Sequence, residues 1–454
     1  MSSKKVSVQI MNPGLLEEDC LVLGEALVKR WRIPTNYPLQ LTFGSFKQKV
    51  RVLSLSKYTG LRLSQGLARK MGIVSKPTLH LSYQSGSGLR LGPLIGVLIS
   101  RDDPDLPDKP FGSITMFCRE MVHAGQKQGA YVYFFTPSHI GSSSSKVNGW
   151  IYGEGWHQAE MPAADVFYNR LTSRKLENKP SVQHFMKEVK SRYGSHFFNE
   201  KFLDKTEVFD ALKADPSLLK YLPESHLFRN FAMLKGMCSR YPVVFLKPTR
   251  GSLGKGIIRI SRNPEGSYQT LATQVGGTRR QNYENLTKLF ASLSGKMKTT
   301  RYQIQQGLNL IDLSGRPVDF RALVQKNGTG AWEITSIVAR TAGTHHFVSN
   351  LARGGTLSTV KEAMAKTHFP ADIKAKAAVR LKKAALDLAD GIDQHIHAHF
   401  GELGIDLAMD TSGRIWLIEV NSKPSKNDNT PLAMGKIRPS VRRMLDYASY
   451  LSSS

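Results

Sequence analysis

Ile415-Trp416-Leu417-Ile418-Glu419-Val420-Asn421-Ser422-Lys423-Pro424 is the stretch on which the fold turns, read together with Gly404-Ile405-Asp406-Leu407 upstream. Both pieces are apolar enough to be strands, and Asp410-Thr411-Ser412-Gly413 between them is a turn, so a hairpin is expected. Period-two geometry predicts Glu419 and Asn421 on one face of the last strand, with Trp416, Ile418 and Val420 on the other. A hairpin partner brings Asp406 beside them. Two carboxylates and an amide oxygen are hard oxygen donors of the kind that suits Mg2+. The plainer alternative is a charged strand end.

Further upstream, Asp319-Phe320-Arg321 is followed by Arg340 at the end of the next strand. An arginine there is suited to a bidentate contact with a phosphate or a developing anion. The plainer alternative is a cross-strand Asp–Arg pair. Asn350-Leu351-Ala352-Arg353-Gly354-Gly355-Thr356 sets an amide, an arginine and a glycine pair in one loop, which fits the lining of an anion site.

Val243-Val244-Phe245-Leu246-Lys247-Pro248-Thr249-Arg250-Gly251-Ser252-Leu253-Gly254-Lys255-Gly256-Ile257 is a strand ending in a lysine, then a glycine loop that returns into a second strand. Glycines let backbone N–H groups approach anionic oxygens, and Lys247, Arg250 and Lys255 add charge around the loop. Ile257 stands where a Walker A loop requires Lys-Ser/Thr, and a strand rather than a helix follows, so neither that loop nor the dinucleotide fingerprint is present. A glycine hairpin with solvated cations is the alternative.

The whole chain has 454 residues, 63 Lys+Arg against 36 Asp+Glu, a formal charge of +27 and 41% hydrophobic residues. This composition buries full cores and excludes a disordered, collagenous or coiled-coil chain, and the length implies roughly two to four domains. Cys20, Cys118 and Cys238 lie far apart, so a disulfide framework or Cys-based zinc site is not expected and a reducing cytosol is the simplest compartment. No apolar run approaches the roughly 20 residues of a spanning helix, and no signal-peptide core is expected. Basic residues are spread from Lys4 to Arg443. They read as solvated surface charge, with a polyanion or nucleic-acid binder as the alternative.

Residues 38–100 read as a β-rich unit, a small barrel with one helix over 64–71 capped by Gly72. A Pro- and Asp-rich linker over 101–110 leads into an alternating βα segment with a small parallel sheet. A long amphipathic helix is expected over 374–400, closing on His395-Ile396-His397-Ala398-His399, where only His395 and His399 share a face. No internal repeat is visible at the usual periods.

In this order the motifs resemble the ATP-grasp superfamily, and among its members the YheC/YheD family described as endospore coat-associated. The segments carrying the likeness lie between about residues 200 and 425, including Asn199-Glu200-Lys201-Phe202-Leu203-Asp204-Lys205-Thr206; Leu91-Gly92-Pro93-Leu94-Ile95-Gly96 resembles that family's N-terminal region. The resemblance implies an α+β architecture: an ATP-grasp fold of two α+β subdomains clasping ATP, preceded by a small α/β pre-ATP-grasp domain and an N-terminal β-rich, barrel-like domain. The corresponding boundaries are 1–105, 106–200, 201–300 and 301–454.

The resemblance also implies roles. Lys205 and Lys247 contact phosphates, and Gly251, Ser252, Gly254, Lys255 and Gly256 form a closing lid. Gln305 and Gln306 fall at the adenine hinge. Asn350 stands near the substrate. Arg321 and Arg340 hold the phosphate or the intermediate. Asp406, Glu419 and Asn421 hold one or two Mg2+ ions, with Mn2+ as the alternative. The implied reaction is ATP- and Mg2+-dependent carboxylate–amine or carboxylate–thiol ligation through an acylphosphate. Its partners are a small-molecule or peptide-like carboxylate and an amine acceptor, with an anionic polymer or spore-coat components as further partners. The implied location is the cytoplasm, in association with the spore coat. A spore-layer structural protein with a nucleotide-binding but non-catalytic ATP-grasp fold stays open as the alternative of a different class.

Overall fold

A computed structural model describes residues 2–141, 143–250, 256–274, 277–343, 355–426 and 436–453. Four sheets follow one another along the chain.

The first is a closed seven-stranded barrel over residues 2–92. Leu41, Leu61, Leu63, Leu79 and Leu81 point inward and are fully buried, as the alternation of those strands dictates. The helix in this unit runs Gln65–Lys70; Ser64 caps it by accepting from the Leu67 N–H, and Gly72 follows at φ +69°.

The barrel also contains a repeat that the sequence hid. Strands Ser2–Met11 and Cys20–Gly24, helix Glu25–Trp31 and strand Leu39–Phe43 form one unit; Phe46–Leu55, Leu61–Ser64, Gln65–Lys70 and Thr78–Gln84 form a second of the same order. The pairings exchange the two units. Ser2–Met11 runs parallel to Leu61–Ser64, and Phe46–Leu55 runs parallel to Cys20–Gly24. Leu21 faces Leu63 while Leu23 faces Leu61, so a pseudo-twofold axis passes through the Val22–Arg62 pair.

The second sheet has the order 156–162, 146–152, 131–135, 94–98, 166–169, 196–198, with parallel pairing from Tyr131–Phe135 across to His196–Phe198. Helices Thr115–Gln128 and Pro439–Ser453 share a core with one face; helix Pro180–Tyr193 and the barrel share a core with the other. The barrel is therefore fused to the α/β unit through one apolar interior.

The third sheet runs Ser225–Leu227, Tyr302–Gln306, Val243–Pro248, Ile258–Arg262, Tyr268–Gln274, Gly277–Tyr283, backed by helices Phe231–Arg240 and Leu286–Thr299. Asn230 and Asn285 cap those helices by accepting from the N–H groups of Met233 and Lys288. The strand after the glycine loop starts at Ile258, since Gly256 turns at φ +72°.

The fourth sheet runs Thr356–Thr359, Trp332–Thr341, Arg316–Lys326, Glu402–Met409, Ile415–Asn421. Val318, Phe320, Ala322 and Val324 alternate into a core covered by helix Ala371–His395, which leaves Asp319 and Arg321 on the opposite face. That helix ends at His395, short of the expected residue 400, so His395 and His399 do not share a helical face; His399 Nε2 instead meets the Tyr447 hydroxyl. Among the described residues the three cysteines are free and buried, and no helix is long and apolar enough to cross a membrane.

Candidate active site

The bare face of the fourth sheet carries a row of charge set by strand register. Arg321 is the cross-strand partner of Asp406, and Asp406 of Glu419. In the neighbouring row Asp319 faces Arg340. Arg321 grips Asp406 with both Nε and Nη2, the latter 2.7 Å from Oδ2. Arg340 Nη2 lies 2.8 Å from Asp319 Oδ2 and 3.0 Å from Asp406 Oδ1. The cross-strand Asp–Arg pair expected as the plainer alternative is thus present, and it reaches on to Asp406. Burial pushes the Asp406 carboxyl up, but Arg321 and Arg340 outweigh it and hold it below the usual carboxylate range.

The last strand departs from simple alternation. The register slips between Asp406 and Leu407, so that Asp406 faces Glu419 while Leu407 faces Leu417 and Ile418 is left over as a bulge. Ile415, Leu417 and Val420 consequently share the core, while Trp416 lies outside that cluster with its ring 3.7 Å from the Arg414 guanidinium and its N–H on Asp410. The expectation that Trp416, Ile418 and Val420 line one face is corrected: the extra residue flips the strand between Leu417 and Glu419. Asn421 faces Gly404 across the hairpin.

Opposite this sheet stand two lysines. Lys205 opens helix Lys205–Lys213, whose cap Asp204 accepts from the Thr206 N–H; its Nζ lies 3.0 Å from Glu419 Oε1. Lys247 is buried near the end of strand Val243–Pro248 and donates to Gln305 Oε1, and Gln305 Nε2 in turn donates to Ser225 Oγ at 2.8 Å. Burial and the neighbouring Lys205 charge push the Lys247 amine down to about 8, with Glu419 opposing. The sequence-predicted residues Lys205, Lys247, Gln305, Arg321, Arg340, Asp406 and Glu419 are thus brought together in one network of contacts and neighbouring charges. Gln306 is turned elsewhere: its Oε1 accepts from the Glu224 N–H at 2.7 Å. Gly251, Ser252, Gly254, Lys255 and Asn350 lie outside the described residues.

Two groups of residues escaped sequence reasoning. Gln303, cross-strand partner of Lys247, is 1% exposed, and its Oε1 has no hydrogen-bond partner; nor has Thr206 Oγ1 beside Lys205. The i, i+2 spacing of Gln303 and Gln305 was a usable signal. The second group is a buried latch behind the cleft. Lys423 Nζ lies 2.9 Å from Glu177 Oε2 and donates to the Asn199 carbonyl at 2.8 Å, while Glu177 Oε1 accepts from the Phe202 N–H at 2.8 Å. The Ser422 hydroxyl donates to the Lys201 carbonyl and accepts from the Leu203 N–H. The segment leading to Lys205 is therefore tied to the strand carrying Glu419 and Asn421.

The chemistry of the donor set is compatible with a metal and a nucleotide: the cross-strand carboxylates Asp406 and Glu419 stand near the Lys205 and Lys247 amines, and an orphaned buried acceptor, Gln303 Oε1, lies on the Lys247 side. Such a cleft between two α+β subdomains is that of an ATP-grasp protein. Residues 194–451 match the YheC/D-like ATP-grasp family, and the chain belongs to it. The endospore coat-associated protein YheD of Bacillus subtilis (strain 168) is 29% identical over 366 residues, covering 80% of each chain. The endospore coat-associated protein YheC of the same strain is 24% identical over 318 residues, covering 68% of this chain and 85% of its own. Among solved structures, the VanG D-Ala:D-Ser ligase from Enterococcus faecalis aligns over 80% of this chain and 99% of its own, with 13% identity and a TM-score of 0.47.

Proposed function

We propose that the protein is an ADP-forming ligase that joins a small-molecule or peptide-like carboxylate to an amine. The observation that carries this reading is the Arg321–Asp406–Glu419 row with Lys205 and Lys247 across the cleft from it.

In this reading Lys205 and Lys247 bind the triphosphate, and the orphaned Gln303 Oε1 serves as an acceptor for the exocyclic amine of adenine. Asp406, Glu419 and Asn421 hold Mg2+, which when bound offsets negative charge on the phosphates. Arg321 and Arg340 steady the anionic carboxylate beside the γ-phosphate. A carboxylate oxygen attacks the γ-phosphorus, the bond to the β-phosphate oxygen breaks, and ADP leaves. The amine then attacks the acyl carbon of the acylphosphate; phosphate departs, and the amine gives up a proton. This chemistry asks the chain for positioning and charge and for no nucleophile of its own. The lid residues Gly251, Ser252, Gly254, Lys255 and Gly256, and Asn350 at the substrate side, complete the proposal, as does the division into units 1–105, 106–200, 201–300 and 301–454. The names of the relatives support a role at the spore coat; a cytoplasmic location with association to that coat is part of the same proposal.

The test is ADP release from ATP and Mg2+ across panels of carboxylates and amines. Release that requires both substrates and disappears in Glu419→Ala supports the reading. Nucleotide binding without turnover on any pair would transfer support to a structural, nucleotide-binding role.

A further inference from the structure

The carboxylates assigned to the metal are already engaged by the protein's own cations. Both oxygens of Asp406 are taken: Oδ2 by Arg321 Nη2 at 2.7 Å, Oδ1 by Arg321 Nε and by Arg340 Nη2 at 3.0 Å. Glu419 Oε1 holds Lys205 Nζ at 3.0 Å. The Asp406 side chain is 6% exposed and that of Lys205 13%, so these contacts are sheltered from water and from screening by salt.

A divalent ion entering this site must displace charge-assisted hydrogen bonds and would bring its own charge up against the lysine and arginines that made them. Phosphate oxygens change that balance, because they offer the same three cations a new anionic partner. Asp319 holds Arg340 at 2.8 Å independently of Asp406, so Arg340 keeps its seat whichever group takes Asp406.

We propose, resting on the ligase reading above, that Lys205 and Arg321 are resident counter-cations that, beside an Arg340 held in place by Asp319, close the metal site until nucleotide phosphates draw Lys205 and Arg321 away. Metal and nucleotide then enter as a coupled pair, and each raises the affinity for the other. Lys205 is the discriminating member. It faces the phosphates and Glu419 at once, so its removal pushes the two affinities in opposite directions.

The experiment uses the full chain and Mn2+ as a spectroscopic stand-in, titrated by electron paramagnetic resonance into nucleotide-free protein. Lys205→Gln is expected to bind Mn2+ roughly tenfold or more tightly than wild type without nucleotide, and ATP about tenfold more weakly. Adding Glu419→Gln to that variant should erase the gain, which assigns the ion to this site. Equal Mn2+ affinity in wild type and Lys205→Gln overturns the proposal, as does wild-type protein that takes up Mn2+ equally well with and without a non-hydrolysable ATP analogue. If Lys205→Gln melts early, Lys205→Met keeps most of the aliphatic stem and carries the same readout. Failure of the ligase reading is a separate result, seen as absent turnover, because the titration is judged on nucleotide-free protein.

Discussion

Lys205 and Glu419 are separated by 214 positions in the chain, yet Nζ and Oε1 lie 3.0 Å apart across the cleft. Their contact is sustained from behind, where Glu177, Lys423 and Ser422 bind the segment that delivers Lys205 to the strand that delivers Glu419. The geometry of the site is thus a product of distant strands and one buried tie, and it leads to separable expectations.

The two carboxylates proposed to hold the metal, Asp406 and Glu419, should differ in what their loss does to stability. Asp406→Asn leaves Arg321 and Arg340 partly uncompensated next to a buried site and should destabilise the protein by about 3 kcal/mol. Glu419→Gln removes one partner from a pair nearer water and should cost less than about 1 kcal/mol. Both should abolish ATP turnover. Urea unfolding with matched activity assays checks this; equal stability losses would contradict the register-based assignment.

If Lys247 binds the triphosphate as proposed, nucleotide binding should be pH-dependent. Its folded value of about 8 lies below the 10.5 of an ordinary lysine, so the folded state holds this proton less tightly than the unfolded chain does. Stability should therefore rise between about pH 8 and 10.5, where the unfolded chain still binds the proton, and be lowest below that window. Phosphate binding has the opposite demand, since it needs the charged amine. ATP affinity should fall as pH rises through 8, with proton uptake on binding visible by calorimetry in buffers of different ionisation heat. Lys247→Met should flatten both profiles; an unchanged pH dependence in that variant would remove Lys247 as the cause.

Removing one half of the latch should be worse than removing both. Lys423→Met alone leaves Glu177 buried without its cation, at a cost of about 3–5 kcal/mol. Pairing it with Glu177→Leu should recover part of that loss. A double-mutant cycle in urea gives the coupling energy, and additive losses would show that the pair does not act as a unit. In variants that still fold, nucleotide affinity should drop through displacement of Lys205.

Gly307 sets the approach of the hinge to the lysine strand. A Cβ there would meet the Val243 carbonyl oxygen and Cβ at 2.6 Å, contacts that only a backbone shift relieves. Gly307→Ala should destabilise the third sheet by about 1–3 kcal/mol and weaken ATP binding by displacing Lys247. An alanine variant with wild-type melting temperature and ATP affinity would rule this out.

Local chemistry in the sequence was a good guide where strands alternate and a poor one where strands meet. Val318, Phe320, Ala322 and Val324 declare the core face of their strand, and that leaves Asp319 and Arg321 on the other. The Glu419 and Asn421 spacing likewise marks a polar strand end. The Ile418 bulge was not legible, because the extra residue is defined by its partner strand and leaves no composition of its own. Glu177 and Lys423 were passed over for a related reason: each is an ordinary charged residue until folding buries them against each other. The repeat in the barrel was hidden because equivalent positions share little beyond their apolar pattern, as in Leu21, Leu23 and Leu27 against Leu61, Leu63 and Leu67, while the residues between them diverge, Val22 against Arg62 and Ala26 against Gly66.

The exchange of parallel pairings between the two halves of the barrel bears on its ancestry. A motif whose partner is its own image can assemble from two separate copies before one gene joins them, because the ladders that the two halves make with each other are available between identical halves, strand Gly88–Gly92 being an addition to both. The hypothesis is that this module arose by tandem duplication of a self-associating half. A peptide carrying residues 1–44, with surface charges tuned for solubility, should dimerise into a folded β-rich module detectable by analytical ultracentrifugation and circular dichroism; an unfolded monomer at high concentration would count against that origin.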